Sequence, residues 1–392
     1  MDVSDLRVAL FTGNYNHVRD GPTQALNRLT GYLQRQGAKV RIYSPKSPKP
    51  AFPSTGKVVG VPAIPFPGRS EYRLPIGIPP KVQRDLKDFG ANIFHVASPD
   101  FLGHRAVTLA HKWREPVVAS VHTRFETYPR YYGLAFLEPF VEATLRRFYR
   151  RCDAIFAPSE SMAQLLREQR MSYDVGIWTR GVDTNVFSAA RRDMAWRRSL
   201  GLADDEPAIA FVGRLVMEKG LDVFAEVVDI LEQRGVRQRV VVIGKGPARD
   251  WFASRLPQSA IFAGFQRGED LGRAVASCDL LFNPSVTETF GNVTLEAMAC
   301  GLPVVAARAT GSSSLIEEGT TGRLIEPGGN EAFARAIQLY CESRDIRLAA
   351  GEAGRKASER YEWDRVNQAL VDGYLRVIRL RSQGIRPISR AR

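Results

Sequence analysis

The chain has 392 residues, of which 44% are hydrophobic and 25% are charged. This balance is typical of a globular protein and excludes a disordered or fibrous one. The length is too great for one hydrophobic core and predicts two domains. No apolar stretch approaches the roughly 18–20 residues that span a bilayer, and the acidic start MDVSD lacks the basic residues of a signal peptide. We therefore predict a cytoplasmic protein.

Cysteine and histidine spacing gives no indication of a metal site. Cys152, Cys278, Cys300 and Cys341 lie far apart without a CxxC pair, and all five histidines precede residue 123. Metal-binding clusters need closely spaced ligands, so the sequence predicts reduced thiols and no bound metal.

The formal net charge of +13 is concentrated in the first half. Residues 1–180 contain 26 Lys and Arg against 15 Asp and Glu, whereas residues 181–392 contain 29 against 27. A basic half indicates an anionic partner, which is either membrane lipid or nucleic acid. A basic surface that is merely solvated would give the same composition.

Short strand-like runs alternate with helical stretches along the chain. The runs lie at 6–13, 39–45, 92–99, 116–122, 154–159, 175–181, 207–215, 239–246, 260–265, 280–285, 303–308 and 323–327. Such alternation forms parallel sheets covered by helices on both faces. The sequence therefore predicts an α/β protein with two Rossmann-like, doubly wound domains. The proline-rich stretch 45–80 is predicted to be mostly extended loop.

The alternation is lost at 181–193, which we interpret as the linker between domains. We predict an N-terminal domain at 1–182, a C-terminal domain at 183–363, and a final helix with a basic tail at 364–392.

Two glutamates follow the strand that ends at 284–285. In PSVTETFGNVTLEAMACG (284–301), a polar loop carries Glu288, and Gly291 begins a helix that carries Glu296. Ligands of open α/β sheets bind beyond the carboxyl ends of the strands, where helix N-termini offer free N–H groups. Glu288 and Glu296 could therefore accept hydrogen bonds from sugar and ribose hydroxyls. The alternative is that they are an exposed loop acid and a helix-dipole acid.

Basic residues follow two other strands. In FVGRLVMEKGLDVF (211–224), Arg214 and Lys219 flank a glycine turn and could clamp a diphosphate without metal. Pairing of Lys219 with Glu218 or Asp222 is the alternative. IGKGP (243–247) places Lys245 between two glycines. Neither segment is GxGxxG, which disfavours a nicotinamide enzyme.

These motifs, in this order, resemble the GT-B family of retaining glycosyltransferases with the Glu-x7-Glu signature. The resemblance is carried by GRLVMEKG (213–220), GKGP (244–247), AGF (263–265) and Glu288-x7-Glu296, and it extends over nearly the whole chain. Four further segments resemble the branch of sulfoquinovosyl-diacylglycerol synthases and bacterial mannosyl- and glucosyl-glycolipid transferases. They are HVASPDFLGHRA (95–106), HTRFETYPRYYG (122–133), APSESM (157–162) and TRGVDTNVF (179–187).

The resemblance implies that the domain at 183–363 binds the donor. Arg214 and Lys219 would hold the pyrophosphate, and Glu296 the ribose. Lys245 would also contact the donor. Glu288 would hold the hexose, helped by backbone N–H groups of three following residues, namely Phe290, Gly291 and Asn292.

The resemblance also implies that the N-terminal domain serves the acceptor and that residues 364–381 cross back onto it. The two domains would face each other across a cleft. His122 would face the sugar at the reacting centre. The turn Asp20–Gly21 matches the family's glycine loop near the donor phosphate, although Pro22 stands where the family commonly has glycine or an aliphatic residue.

The implied reaction is a front-face, retaining transfer of a hexose without metal. The donor would be GDP-mannose, UDP-glucose or UDP-glucuronate, and the acceptor a membrane lipid or glycolipid. No Asp-x-Asp motif occurs in the chain. One alternative is a GT-B enzyme that acts on a soluble sugar or polysaccharide precursor. A basic nucleic-acid-binding protein is disfavoured because acids interrupt its best candidate stretch, 124–151.

The stretch 130–151 combines apolar residues with arginines. Its apolar members are Tyr131, Tyr132, Leu134, Phe136, Leu137 and Phe140, and its basic cluster is Arg146, Arg147, Arg150 and Arg151. This composition is typical of a segment that lies in a membrane interface. We predict a peripheral enzyme on the inner face of the cell membrane. A core-packing helix with a charged outer edge is the alternative.

Overall fold

The computed structural model describes residues 1–18, 20–66, 69–127, 134–172, 174–309 and 311–385. The chain divides into two compact units. Unit 1 comprises Met1–Thr179 and Asp364–Arg392, and unit 2 comprises Arg180–Trp363.

Unit 1 is built on a parallel sheet. Its described strands are β1 (Arg7–Phe11), β2 (Lys39–Ser44), β3 (Lys57–Gly60), β4 (Ala63–Phe66), β5 (Arg69–Pro75), β6 (Ile93–Val96), β7 (Val117–Ser120), β8 (Ala154–Ala157) and β9 (Val175–Ile177). Seven of them pair in the order β3-β2-β1-β6-β7-β8-β9, with every described pairing parallel. The order reverses direction between β1 and β6, as in a doubly wound fold.

Five described helices belong to the first part of unit 1: α1 (Gly21–Arg35), α2 (Pro80–Phe89), α3 (Phe101–Trp113), α4 (Glu138–Tyr149) and α5 (Glu160–Glu168). Local sequence explains where α1 begins. The backbone N–H of Thr23 donates to the Asp20 carboxylate at 2.9 Å, and the Thr23 hydroxyl oxygen accepts a hydrogen bond from the Asp20 N–H. Pro22 lies in the first turn, where its missing N–H costs nothing.

The prediction that 45–80 is mostly loop is wrong for three short strands. β3 is the edge strand of the seven-stranded sheet, and β4 pairs antiparallel with β5 in a separate two-stranded sheet. Proline is tolerated in such strands because an edge leaves backbone N–H positions without a partner. Pro65 within β4 occupies a strand of this kind.

Unit 2 contains the second parallel sheet. Its strands are β10 (Ala208–Val212), β11 (Arg239–Ile243), β12 (Ile261–Gly264), β13 (Leu280–Asn283), β14 (Val304–Ala307) and β15 (Gly322–Ile325), in the order β12-β11-β10-β13-β14-β15. Its described helices are α6 (Met194–Ser199), α7 (Leu221–Gln233), α8 (Arg249–Ala253), α9 (Gly268–Ala276), α10 (Asn292–Ala299), α11 (Asn330–Glu342) and α12 (Arg344–Ser358).

Both faces of the unit 2 sheet are covered. Ile209 and Phe211 of β10 belong to one hydrophobic cluster, whereas Ala208 and Ala210 of the same strand belong to another. Successive side chains of a strand point to opposite faces, so buried residues at every position require helices on both sides. The predicted α/β class with two Rossmann-like, doubly wound parallel sheets is confirmed.

The last described helix, α13 (Trp363–Ser382), packs on unit 1. Its Arg376 forms an ion pair of 2.6 Å with Asp174, and Gln368 accepts a hydrogen bond from the Tyr32 hydroxyl. The ring of Tyr374 meets that of Phe156 at right angles, with centroids 6.4 Å apart. Helix α13 therefore packs against elements of unit 1 that come from the first half of the chain.

We predict that Arg197→Ala lowers the free energy of unfolding by about 3 kcal/mol, because it breaks a buried ion pair and leaves buried carbonyl oxygens without their donor. The Asp279 carboxylate keeps its second ion pair, with Arg192. The Arg197 side chain is 0% exposed, donates to Asp279 at 2.9 Å and also donates to the Glu206 carbonyl. Urea denaturation followed by circular dichroism measures the loss. Arg198→Ala, in the same helix but with an exposed ion pair to Asp204, is the control and should change little. Equal effects of both variants would contradict this account.

Candidate functional site

The carboxyl edge of the unit 2 sheet brings the predicted donor-binding loops together. β10 lies between β11 and β13, and the chain runs outward from β10 in one direction before it resumes at β13 in the other. This reversal is the topological switch point, beyond which ligands of doubly wound sheets bind. The loops that follow β10 and β13 carry Lys219 and Glu288.

Lys219 and Glu288 form an ion pair at this point. The Lys219 Nζ lies 2.6 Å from Oε1 of Glu288, and the two side chains are 25% and 21% exposed. The structure thus joins two residues that are 69 positions apart in the chain. The alternative pairing of Lys219 with Glu218 or Asp222 is not observed.

Arg214 makes a different contact. Its guanidinium donates to Glu218 at 3.1 Å, and both side chains are largely exposed. In this arrangement Arg214 lies on the same loop as Lys219 without contacting Glu288 in any described interaction. A short turn of 3₁₀ helix, Met217–Lys219, separates Arg214 from Gly220, the residue directly before α7, which has a φ of 73°.

The turns after β10 and β11 pack backbone against backbone. A Cβ atom on Gly244 would lie 1.9 Å from the carbonyl oxygen of Gly213, so no other residue fits there. The amide of Leu215 donates to the carbonyl of Lys245 at 3.1 Å. This contact holds the Lys245 turn beside the β10 turn, and the Lys245 Nζ lies 4.8 Å from the centre of the Phe265 ring.

The loop after β13 ends at an uncapped helix. Gly291 precedes α10 in the left-handed region, with φ of 92°, and no side chain caps the described N-terminus. Phe290 is buried, and the amide of Gly311 donates to the carbonyl of Glu288 at 2.9 Å. The backbone at Phe290, Gly291 and Asn292 is therefore fixed next to Glu288. The first N–H groups of a helix attract anions and hydroxyl oxygens.

Glu296 lies one turn into α10 and has an altered acidity. Burial, and after it the negative charge of Glu288, raise the pKa of Glu296 from 4.5 to about 8. Within the described part of the chain, the Glu296 carboxyl makes no recorded hydrogen bond. It is consequently available to a ligand hydroxyl.

His122 and Gly21 belong to unit 1. His122 follows β7, and its Nε2 lies 2.9 Å from the hydroxyl of Ser120. The edge of the Trp178 indole contacts the His122 ring, with centroids 5.8 Å apart. Gly21 is the first residue of α1, directly after the capping residue Asp20. Both predicted residues thus follow carboxyl ends of the unit 1 sheet, where they can contact a ligand.

Residues near His122 went unnoticed in the sequence. His95 lies in β6 and bonds to Ser120 at 2.7 Å, and the Tyr374 hydroxyl bonds to the other ring nitrogen of His95. The available signal was a histidine inside an apolar strand, IFHV, where an unpaired imidazole would be costly.

Only part of the predicted membrane segment can be compared with the structure, because Tyr131 and Tyr132 lie outside the described residues. The apolar side chains at its start are exposed, with Leu134 at 43%, Phe136 at 75%, Leu137 at 36% and Phe140 at 71%. Farther along, Leu145, Phe148 and Tyr149 are buried in the core of unit 1. The second half of α4 thus packs in the core of unit 1. The first half of α4 and the described residues just before it expose apolar side chains.

The four arginines of this segment differ in their contacts. Arg146 pairs with Glu142 and donates to the Gln169 carbonyl, Arg150 donates to the Arg170 carbonyl, and Arg151 donates to the Thr108 hydroxyl. Arg147 has no recorded hydrogen bond or ion pair to a described residue. Three of the four arginines therefore form hydrogen bonds with other parts of unit 1, which the sequence alone did not indicate.

The described residues offer neither a cluster of metal ligands nor a membrane-spanning helix. Among them, no three His, Cys, Asp or Glu side chains are grouped in a way that could hold a metal ion. No described helix combines the length and the apolar character that crossing a membrane requires.

Two family models match the chain in succession. The model of Glycosyltransferase Family 4 matches residues 19–186, and that of Glycosyl transferases group 1 matches residues 193–357. With the two doubly wound sheets, these matches define a glycosyltransferase of the GT-B fold.

Curated relatives agree with this class. A GDP-mannose-dependent alpha-mannosyltransferase of Mycolicibacterium smegmatis is 32% identical over 96% of this chain and 99% of its own. Sulfoquinovosyl transferase SQD2 of Arabidopsis thaliana is 30% identical over 85% of this chain and 66% of its own. An alpha-monoglucosyldiacylglycerol synthase of Streptococcus pneumoniae is 24% identical over 85% of this chain and 77% of its own. The chain therefore belongs to the GT-B glycosyltransferases, the family that the sequence motifs indicated.

A solved structure supports the fold. HepE of Anabaena, in complex with UDP, superposes with a TM-score of 0.73 over 94% of this chain and 99% of its own, at 19% identity.

We predict that Glu296→Gln stabilises the unliganded protein at pH 8 but not at pH 5. The folded state binds a proton more tightly than the unfolded chain, so the carboxyl costs stability as pH rises from about 4.5 to about 8. Each pKa unit corresponds to about 1.4 kcal/mol. Melting temperatures across this range measure the difference between variant and wild type. Glu317→Gln, at an exposed position of unit 2, is the control. A variant less stable than wild type at pH 8 contradicts the assignment.

Proposed function

We propose that this glycosyltransferase moves a hexose from a nucleotide-diphosphate sugar to a membrane lipid or glycolipid with retention of configuration and without a bound metal. The ion pair between Lys219 and Glu288 carries the proposal. It places a cation and a hydroxyl acceptor together at the switch point of a doubly wound sheet.

The donor diphosphate requires positive charge, which the loops of unit 2 supply. Lys219 would bind the diphosphate as a point charge, and Arg214 could leave its exposed contact with Glu218 to bind as a fork. Lys245 lies on the neighbouring turn. Since exposed ion pairs contribute little stability, the exchange from Glu218 to a phosphate costs little.

The sugar and the ribose need hydrogen-bond acceptors. Glu288, adjacent to Lys219, would accept hydroxyls of the hexose, with the backbone N–H groups of Phe290, Gly291 and Asn292 beside it. Glu296 would accept the ribose hydroxyls. A carboxylate is the better acceptor of two hydroxyls, so nucleotide binding should draw Glu296 towards its ionised form.

The reaction follows from this arrangement. The bond between the anomeric carbon and the diphosphate oxygen breaks, and the acceptor oxygen bonds to the same face of that carbon. The departing diphosphate takes the proton of the acceptor hydroxyl, while Lys219 and the N-terminus of α10 stabilise its charge. We assign to His122 contact with the transferred hexose. The mannosyltransferase relative, named as GDP-mannose-dependent, supports a donor of this class.

The lipid acceptor is supported by the surface of unit 1. Phe136 and Phe140 are exposed by more than two thirds of their area and precede the arginine cluster at 146–151 in the sequence. They belong to the half of the chain that carries most of the net charge. Aromatic side chains beside basic residues suit the interface of an anionic membrane. One relative is named for a diacylglycerol product. These features favour a peripheral enzyme on the cytoplasmic face over one with a soluble acceptor.

We predict that Lys219→Ala and Glu288→Ala each lower kcat at least a hundredfold, because loss of one preorganised charge contact costs about 2.7–4 kcal/mol of transition-state stabilisation. Initial rates at saturating nucleotide sugar measure the effect. Asp222→Ala, at an exposed position in the first turn of α7, is the matched control and should retain activity. Near-normal turnover of either active-site variant refutes the site. Complete loss of wild-type activity with EDTA, restored by Mn²⁺, would refute the proposal that the transfer needs no bound metal.

We predict that Phe136→Ser with Phe140→Ser reduces sedimentation with anionic phosphatidylglycerol vesicles several-fold. Each replacement removes apolar area that would enter the interface. The wild type should pellet with these vesicles, pellet less with neutral phosphatidylcholine vesicles, and be released by high salt.

The control for vesicle binding is Ile346→Ser with Leu348→Ser, at exposed apolar positions of unit 2. It should bind like the wild type. If the wild type stays in solution with anionic vesicles at low salt, the lipid acceptor is wrong and a soluble one is favoured.

A further inference from the structure

A chain of hydrogen bonds leads from the terminal helix to His122, entirely within unit 1. The Tyr374 hydroxyl of α13 bonds to Nδ1 of His95. Nε2 of His95 lies 2.7 Å from the Ser120 hydroxyl, which in turn lies 2.9 Å from Nε2 of His122. We propose that Tyr374, His95 and Ser120 form a relay. This relay selects the Nδ1–H tautomer of His122. The catalytic relevance of the relay rests on the proposed function, whereas the tautomer does not.

The relay is isolated from water. His95 and Tyr374 are fully buried, and Ser120 is buried as well. Burial lowers the pKa of His95 to about 3 and raises that of Tyr374 well above its usual value. At neutral pH His95 is therefore neutral, with one donor and one acceptor nitrogen, and Tyr374 keeps its proton.

The Tyr374 hydroxyl, at the buried end of this series of hydrogen bonds, determines the direction of all of them. If Tyr374 donates to Nδ1 of His95, then Nε2–H of His95 donates to Ser120. In the reverse direction, Nδ1–H of His95 donates to the Tyr374 oxygen. The Tyr374 hydrogen would then be buried with no other acceptor recorded among the described residues, which costs free energy. The first direction is favoured.

The consequence falls on His122. Because the Ser120 oxygen receives the hydrogen of His95, its own hydrogen points to Nε2 of His122. Nε2 must then carry the lone pair, and the proton of neutral His122 lies on Nδ1. Trp178 contacts the rings of both histidines edge-on, at centroid distances of 5.8 Å, which restrains their orientation. The relay thus makes Nδ1–H of His122 a donor of fixed direction.

The two histidines are inferred to be opposite tautomers, and this difference can be measured. We would label histidine with ¹⁵N and record long-range ¹H–¹⁵N correlation spectra of the full protein at pH 7.5, with the resonances assigned from His95→Asn and His122→Asn. The chain has only five histidines. For His122 we expect Nδ1 to be protonated and Nε2 not, and for His95 the reverse. Protonation of Nε2 in both rings of the wild-type protein would overturn the proposed relay.

Tyr374→Phe removes the donor that sets the direction. We expect the two nitrogen shifts of His122 to move towards a tautomer mixture and kcat to fall about tenfold, with KM for the nucleotide sugar unchanged, as when an orienting partner is lost. Tyr149→Phe is the matched control, because Tyr149 is a buried tyrosine of the same unit without a recorded contact to the relay. Unaltered His122 shifts in Tyr374→Phe would contradict the proposal.

Ser120→Ala is the second variant, in case Tyr374→Phe does not fold. It should release the His122 tautomer and leave Nε2 of His95 protonated or mixed, with a melting temperature close to that of the wild type. Preserved His122 tautomer in Ser120→Ala would overturn the relay. Expected tautomers in a wild type that transfers no hexose would instead refute the proposed function and leave the relay standing.

Discussion

Every described pairing within the two main sheets is parallel, and this constraint determines where chemistry can occur. Parallel strands end at the same edge, so residues from distant parts of the chain come together in the loops beyond it. In unit 2 this edge joins Lys219 to Glu288. In unit 1 the same rule places His122 directly beyond β7, and Gly21 at the start of the helix that follows β1.

The close approach of backbone segments restricts the conformations that the loops beyond β10, β11 and β13 can adopt. Gly213 and Gly244 lie against each other without side chains, and the uncapped start of α10 is fixed by the bond from Gly311 to the Glu288 carbonyl. A site that is held in place before the ligand arrives loses little energy to reorganisation. The charged side chains are less constrained, since Arg214 is mostly exposed and its ion pair with Glu218 is exposed as well.

The positions of most strands along the chain could be predicted because each is a short run of buried aliphatic residues between turn signals, as at VVVIGKG (240–246). The stretch with β3, β4 and β5 could not, because edge strands tolerate prolines and lose the usual pattern. Glu288 and Lys219 could be nominated separately from their loops. That they form an ion pair depends on strand order and side-chain rotamers, which no local pattern contains.

The relay around His122 illustrates the same limit more strongly. Tyr374 and His95 are 279 residues apart, and only the packing of α13 on unit 1 joins them. The exposed residues Phe136 and Phe140 were predictable as members of an apolar cluster. Their exposure was not, since Leu145 and Phe148 of the same segment are buried.

The protein is proposed to transfer a hexose to a lipid with retention of configuration. The most direct test of this transfer is to incubate the protein with a nucleotide α-hexose, beginning with GDP-α-mannose, and anionic vesicles that contain diacylglycerol or a glycolipid. The anomeric linkage of the first product is then determined by NMR. We expect an α-linked glycolipid, because the acceptor attacks the face from which the diphosphate departs. A β-linked product would contradict the account.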